Sequence, residues 1–171
     1  MNMAIEARSI NRRQGVSLEV RQKLEDFLVH YCHTLDDDNL EQWPDLFEQD
    51  CVYEINTREN VEAGMPLGIM LCEGRGMLAD RIKALRTANI YEKHVYCHML
   101  SRPEIWEEGD NRYALRCNFT VYRTWYTGAL ELFAVGKYES TISLAGDTPR
   151  LARKKIVLDP RRLDTLMVIP L

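Results

Sequence analysis

With 171 residues the chain is long enough for one domain that buries roughly 70% of its extended surface, so no stabilising disulfide is required. Its net charge of −4 is spread over interspersed acids and bases, which leaves no basic field to displace counterions from phosphates and excludes nucleic acid as a partner. The thiols Cys32, Cys51, Cys72, Cys97 and Cys117 are odd in number and unpaired in spacing, as expected of buried cysteines in a reducing cytoplasm.

Residues 1–16 read as a flexible polar arm without the apolar core of a signal peptide, and residues 17–171 as a single domain. No apolar run approaches membrane-spanning length, so no membrane partner is expected. Ser17 is positioned as an N-cap, and Leu24, Phe27, Leu28, Tyr31 and Leu35 then recur at helical spacing up to Asp36, Asp37 and Asp38. A second, shorter helix is expected over 39–47, tightened or kinked by Pro44. Cys51, Tyr53 and Ile55 alternate as a short strand, 57–66 reads as loop, and 68–72 as another short strand. Residues 76–88 form a third helix with Met77, Leu78, Ile82 and Leu85 inward and Arg81, Lys83 and Arg86 elsewhere.

A strand over 95–106 is interrupted or bulged near Pro103. After it comes the dominant feature, two long antiparallel strands between Asn111 and Ser143 that meet near Thr127 and Gly128. Tyr113, Leu115, Cys117, Phe119, Val121 and Trp125 share one parity of the first. Leu130, Leu132, Ala134, Tyr138 and Ile142 share one parity of the second, where Phe133 and Val135 break the alternation. Gly136 suits a bulge, so the sheet is expected to bend sharply over the N-terminal helices. A last strand covers 151–158, and the apolar tail from Arg161 to Leu171 is expected to dock on this chain or another. Helices first and strands after argue for an α+β fold with a mostly antiparallel sheet.

Few residues assemble into chemistry. Gly74, Gly76 and Ala79 imitate a dinucleotide fingerprint, but the strands that follow are joined by turns and not by crossover helices, so a plain loop before a helix is the better reading. His30, His33 and Asp37 share one helical stripe opposite the apolar face, which makes a solvated or interface surface. His94 and His98 lie about 13 Å apart on a strand, too far for one ion. The neighbours Cys32–His33 and Cys97–His98 diverge on either kind of element and cannot form a thiol–imidazole dyad. No Cys-x-His or Cys-x-x-His occurs, so the chain has no local iron–sulfur motif of the Rieske kind.

Several segments, taken together, carry a resemblance. Phe27, Leu35 and Asp36; Trp43, Leu46 and Phe47 leading to Asp50, Cys51, Val52 and Tyr53; and Met77, Leu78, Asp80, Arg81, Ile82, Leu85 and Arg86 are the first. The ending adds Lys154, Lys155, Ile156, Val157, Leu158 and Asp159, then Asp164, Thr165 and Leu166. In order and spacing these resemble the small (β) subunits of bacterial Rieske-type aromatic-ring-hydroxylating dioxygenases. The runs 89–94 and 164–171 look most like small subunits acting on aromatic carboxylates such as terephthalate, salicylate or anthranilate.

The resemblance implies a cone-shaped nuclear-transport-factor-2-like (cystatin-like) fold, a strongly curved, mixed sheet with three helices. It also implies a cytoplasmic hexamer of three large and three small subunits, the small ones trimerising, with electrons supplied by a reductase or ferredoxin. The Rieske 2Fe-2S cluster and mononuclear Fe(II) are then expected in the large subunit, with no catalytic, cofactor or metal residue in this chain. Expected subunit contacts are Arg81, Arg86, Leu166 and Met167, together with Arg116, Arg123 and Tyr126 as outer residues of the long strands. The alternative is a free-standing isomerase or dehydratase with an acid–base pair inside the same cone, for which Tyr31, Asp36 and His98 are the best available set.

Overall fold

The structure is a computed structural model that describes residues 15–65, 68–88, 91–146, 148–160, 167 and 169–171. Most of the expected arm, and Leu166, lie outside the described residues. Helix α1 (Leu18–Asp36) starts at Ser17, whose Oγ accepts the Val20 N–H at 3.2 Å, and buries Leu24, Phe27, Leu28, Tyr31, Cys32 and Leu35. Its spacing rule holds because those positions fall on adjacent turns of one face.

Seven strands form one sheet: β1 (Phe47–Thr57), β2 (Met70–Glu73), β3 (His94–Leu100), β4 (Glu104–Gly109), β5 (Arg112–Trp125), β6 (Leu130–Ser143) and β7 (Arg150–Leu158). Their order is β2-β1-β7-β6-β5-β3, with β4 also on β5. Only β1 and β7 run parallel. Strands β3 and β4 are one edge line broken at residues 101–103, where Pro103 has no N–H to offer the ladder. Helices α1 and α3 (Arg75–Thr87) cover the concave face, α3 through Leu78, Ile82 and Leu85. The expected curved α+β sheet is present.

Local structure departs from the expectations in five places. Residues 39–47 hold a 3-10 helix, Trp43–Leu46, and not a longer α-helix; Pro44 lacks an N–H and Trp43 is fully buried. The loop expected over 57–66 contains α2 (Arg58–Glu62), whose N-cap Thr57 accepts the Asn60 N–H at 3.2 Å. Met77 faces solvent, since it lies a full 100° from Leu78 on α3. Cys97 is also exposed, unlike the other four thiols.

The fifth departure concerns curvature. Gly136 is no bulge: it pairs with Phe119 and Leu158, and a Cβ there would stand 2.2 Å from the Val157 carbonyl oxygen. The extra residues are Phe133, skipped between the pairs Val121–Ala134 and Tyr122–Leu132, and Ala152, skipped between Thr141–Arg153 and Ile142–Leu151. Each bulge inverts the alternation along its strand. Leu130 and Leu132 therefore lie exposed on the outer face, although their parity matches buried Ala134 and Tyr138.

Candidate functional site

Three places bear on function: two hold buried polar groups and the third exposes apolar side chains. The first joins α1 to β3. Asp36 is the last residue of α1, and its carboxylate meets His98 twice: Oδ1 lies 2.5 Å from Nδ1 and Oδ2 accepts the His98 N–H at 2.9 Å. The His98 side chain is wholly buried, and its Nε2 has no protein partner. A carboxylate-oriented imidazole is the arrangement used for proton transfer, and it equally serves to pin a helix end onto a sheet. The set Tyr31, Asp36 and His98 is thus partly assembled, through the Asp36–His98 contact.

The second lies deeper. Lys154 is fully buried, with Nζ 3.3 Å from the Tyr138 ring centroid and 4.4 Å from that of Tyr31. Burial lowers its pKa from 10.5 to about 8. Around it the same burial pushes the Cys32 thiol up to about 12 and raises that of Cys117. Alternation from buried Leu151 marks Arg153, and not Lys154, as inward; the bulge at Ala152 reverses this. The only signal in the sequence is the basic pair Lys154–Lys155 set directly against Ile156, Val157 and Leu158.

Aromatic rings fill the space between α1 and the sheet. Phe119 and Tyr138 stack at 4.1 Å, Tyr31 meets Phe47 and Tyr138 edge-on, and Trp43 meets Phe47 and Tyr53. The tail closes on this cluster: the Leu171 carbonyl accepts from Tyr31 OH at 2.6 Å and Tyr53 OH at 3.1 Å, and Met167 and Ile169 are buried. At the neighbouring rim, a cleft of about 460 Å³ is lined by Tyr91, His94, Val95, Trp125 and Tyr126, among others.

The third place is the outer surface of β3, β5 and β6. Val95, Met99, Tyr122, Leu130 and Leu132 are all exposed and, with Cys97, occupy adjoining register positions: Cys97 opposes Tyr122, which opposes Leu132. It is one contiguous apolar face, produced in part by the Phe133 bulge.

The expected contact residues do not gather there. Arg86 is clamped by Glu41 at 2.7 Å and Asp38 at 2.9 Å, and Arg81 donates to the Met167 carbonyl at 2.7 Å, so both hold this chain's own loops and tail. Met167 itself is buried in this chain. Arg116 and Tyr126 are exposed, as expected, Tyr126 at the β5–β6 turn. Arg123 is a correction: it shares the inward parity of Val121, is 5% exposed, lies 4.1 Å from the Trp125 ring centroid and pairs with Glu131 at 2.6 Å. Among the described residues, no group of three or more His, Cys, Asp or Glu side chains is placed to hold a metal, and the His30, His33 and Asp37 stripe is exposed.

A single curved sheet closed over by α1, α3 and the tail defines the nuclear-transport-factor-2-like class. Within it the chain belongs to the family described as ring hydroxylating beta subunit, which matches residues 31–165. It is 39% identical to the small subunit of anthranilate 1,2-dioxygenase from Burkholderia cepacia, over 82% of this chain and 88% of that one. It is also 39% identical to a terminal oxygenase component subunit beta of terephthalate 1,2-dioxygenase from Comamonas sp, over 85% and 94%. A solved structure from Novosphingobium aromaticivorans, described as the beta subunit of an aromatic-ring-hydroxylating dioxygenase, superposes with a TM-score of 0.81 at 37% identity. The match covers 88% of this chain and 96% of that one. Among the described residues, no helix is long and apolar enough to cross a membrane.

Proposed function

We propose that this chain is the non-catalytic small subunit of a terminal oxygenase that hydroxylates aromatic carboxylates, and that its work is to seat and align the large subunits in a hexamer of three large and three small chains. The observation that carries the reading is the family match over residues 31–165, supported by 39% identity to the anthranilate and terephthalate enzymes' small subunits. In this reading the Rieske cluster and mononuclear iron belong to the large subunit, electrons arrive from a reductase or ferredoxin, and the assembly is cytoplasmic. The apolar outer face of β3, β5 and β6 is the best supported contact surface, because exposed contiguous apolar area on a sheet favours a partner. Arg116 and Tyr126 are kept as accompanying contacts.

The test is co-expression with a tagged large subunit: this chain should be retained with it, and ring hydroxylation should require both. Loss of retention in Leu132→Arg with an intact fold would support the outer face as the seat; full retention would remove it.

One observation favours a second reading, an acid–base enzyme, namely the buried Asp36–His98 pair. Against it stand the aromatic rings and the Leu171 main chain packed around Tyr31, the third member of the set. Unchanged ring hydroxylation in His98→Gln, once reconstituted with the large subunit, would dispose of the second reading.

A further inference from the structure

The polar groups around Lys154 have a chemical asymmetry. Nζ, Tyr138 OH and Ser140 Oγ are all buried, and none has a hydrogen-bond partner in the protein. Lys154 and Ser140 oppose one another in the β6–β7 register, which puts their Cβ atoms about 5 Å apart on the same inward face as Tyr138. An ammonium can only donate, while the two hydroxyls are free to donate to whatever lies between. The thiols that face the lysine from α1 and β5, Cys32 and Cys117, stay protonated because burial raises both, so neither supplies a negative charge. Among the described residues no carboxylate forms an ion pair with Nζ, and the carboxylate at the end of α1, Asp36, is committed to His98. A buried cation left with only two aromatic faces is costly, because charges taken out of water are ordinarily paired.

We propose that Lys154, Ser140 and Tyr138 form an internal binding site for a small inorganic monoanion of the halide class. Such an ion supplies the missing acceptor to three donors and neutralises the ammonium, leaving the cell uncharged overall. A carbamate formed on Nζ would exchange an unpaired cation for an unpaired anion, with no cation nearby to match it. A water molecule would accept one hydrogen bond or two and leave the charge in place. The ion is captured when the sheet closes over α1, so its effect falls on stability. This site is independent of the proposed subunit role and stands or falls apart from it.

The experiment uses the full chain in two arms. Urea unfolding is followed in sodium chloride or bromide at constant ionic strength, with gluconate, a bulky organic anion, as the balancing anion. A crystal grown in bromide is then examined for anomalous scattering at Nζ. In the saturating range each tenfold rise in halide should lower the unfolding constant of the native protein up to tenfold, and Lys154→Met should abolish the dependence. If Lys154→Met does not fold, Ser140→Ala takes its place and should weaken the dependence severalfold. Bromide should scatter in contact with Nζ. An equal halide response in native protein and variant, or the absence of bromide scattering at Nζ, overturns the proposal. Scattering without a dependence that the variant changes marks an adventitious ion only and overturns it equally.

Discussion

At the scale of single residues, the unusual investment is in buried polar groups. Because burial lowers the Lys154 pKa from 10.5 to about 8, the unfolded chain holds more protons than the folded one between those values. The burden of the charge is therefore fully present below pH 8 and is relieved as pH rises toward 10.5. In halide-free buffer the native protein should gain stability relative to Lys154→Met across that window, by on the order of 3 kcal/mol for a shift of this size. The same pH dependence of unfolding free energy in both proteins, from urea titrations at pH 7.5, 9 and 10.5, would refute this.

Asp36 calls for a second prediction at this scale. It accepts from both the ring and the main chain of His98, across a sequence separation of 62 residues. Asp36→Ala strands a buried ring nitrogen and removes the partner of an edge-strand N–H, and should cost about 2 kcal/mol or more in urea unfolding. A loss below about 0.5 kcal/mol would mean that the contact does not secure the end of α1.

At the scale of elements, the sheet shows why some features were legible and others were not. Period-two alternation reveals β5 and the far half of β6, and helical spacing reveals α1 and α3, because each depends only on near neighbours in the chain. A bulge adds one residue without leaving a compositional mark. Phe133 signalled its bulge by breaking the alternation, whereas Gly136, the residue type better suited to one, is demanded by the close approach of Val157. Ala152 left no such trace, and with it the inward direction of Lys154 was hidden. Arg123 shows the complementary case. Its parity with Val121 already places it inward, and only its charge suggests otherwise.

The close packing at Gly136 is directly testable. Gly136→Ala places a methyl group 2.2 Å from a backbone oxygen on the adjacent strand, which no side-chain rotation relieves. The expected cost is about 3 kcal/mol or more, read as a fall in urea midpoint. An unchanged midpoint would show that β6 and β7 separate at no cost.

On the scale of the whole molecule, the fold sorts its surfaces by task. The concave face is closed by helices, aromatic rings and the Leu171 main chain, while the convex face of β3, β5 and β6 leaves Val95, Met99, Tyr122, Leu130 and Leu132 to solvent. A face of that kind fits a chain that works in an assembly. The arginines of α3, which the sequence marks as a basic surface, are instead used to tie down this chain's own loops and tail. Substituting Met99 and Leu132 with charged residues should leave the stability of the isolated chain within about 0.5 kcal/mol, since both side chains are exposed, while blocking association. Unfolding and sizing of the double variant check the two halves separately.

As proposed, this chain is a scaffold for an iron-bearing partner. Light scattering of the chain alone, and again after co-expression with its large subunit, with iron and acid-labile sulfide assayed on both, tests it most directly. The expected result is a metal-free species from the chain alone and a six-subunit, iron- and sulfide-containing particle with the partner. A chain that stays a monomer or dimer and ignores the large subunit would contradict it.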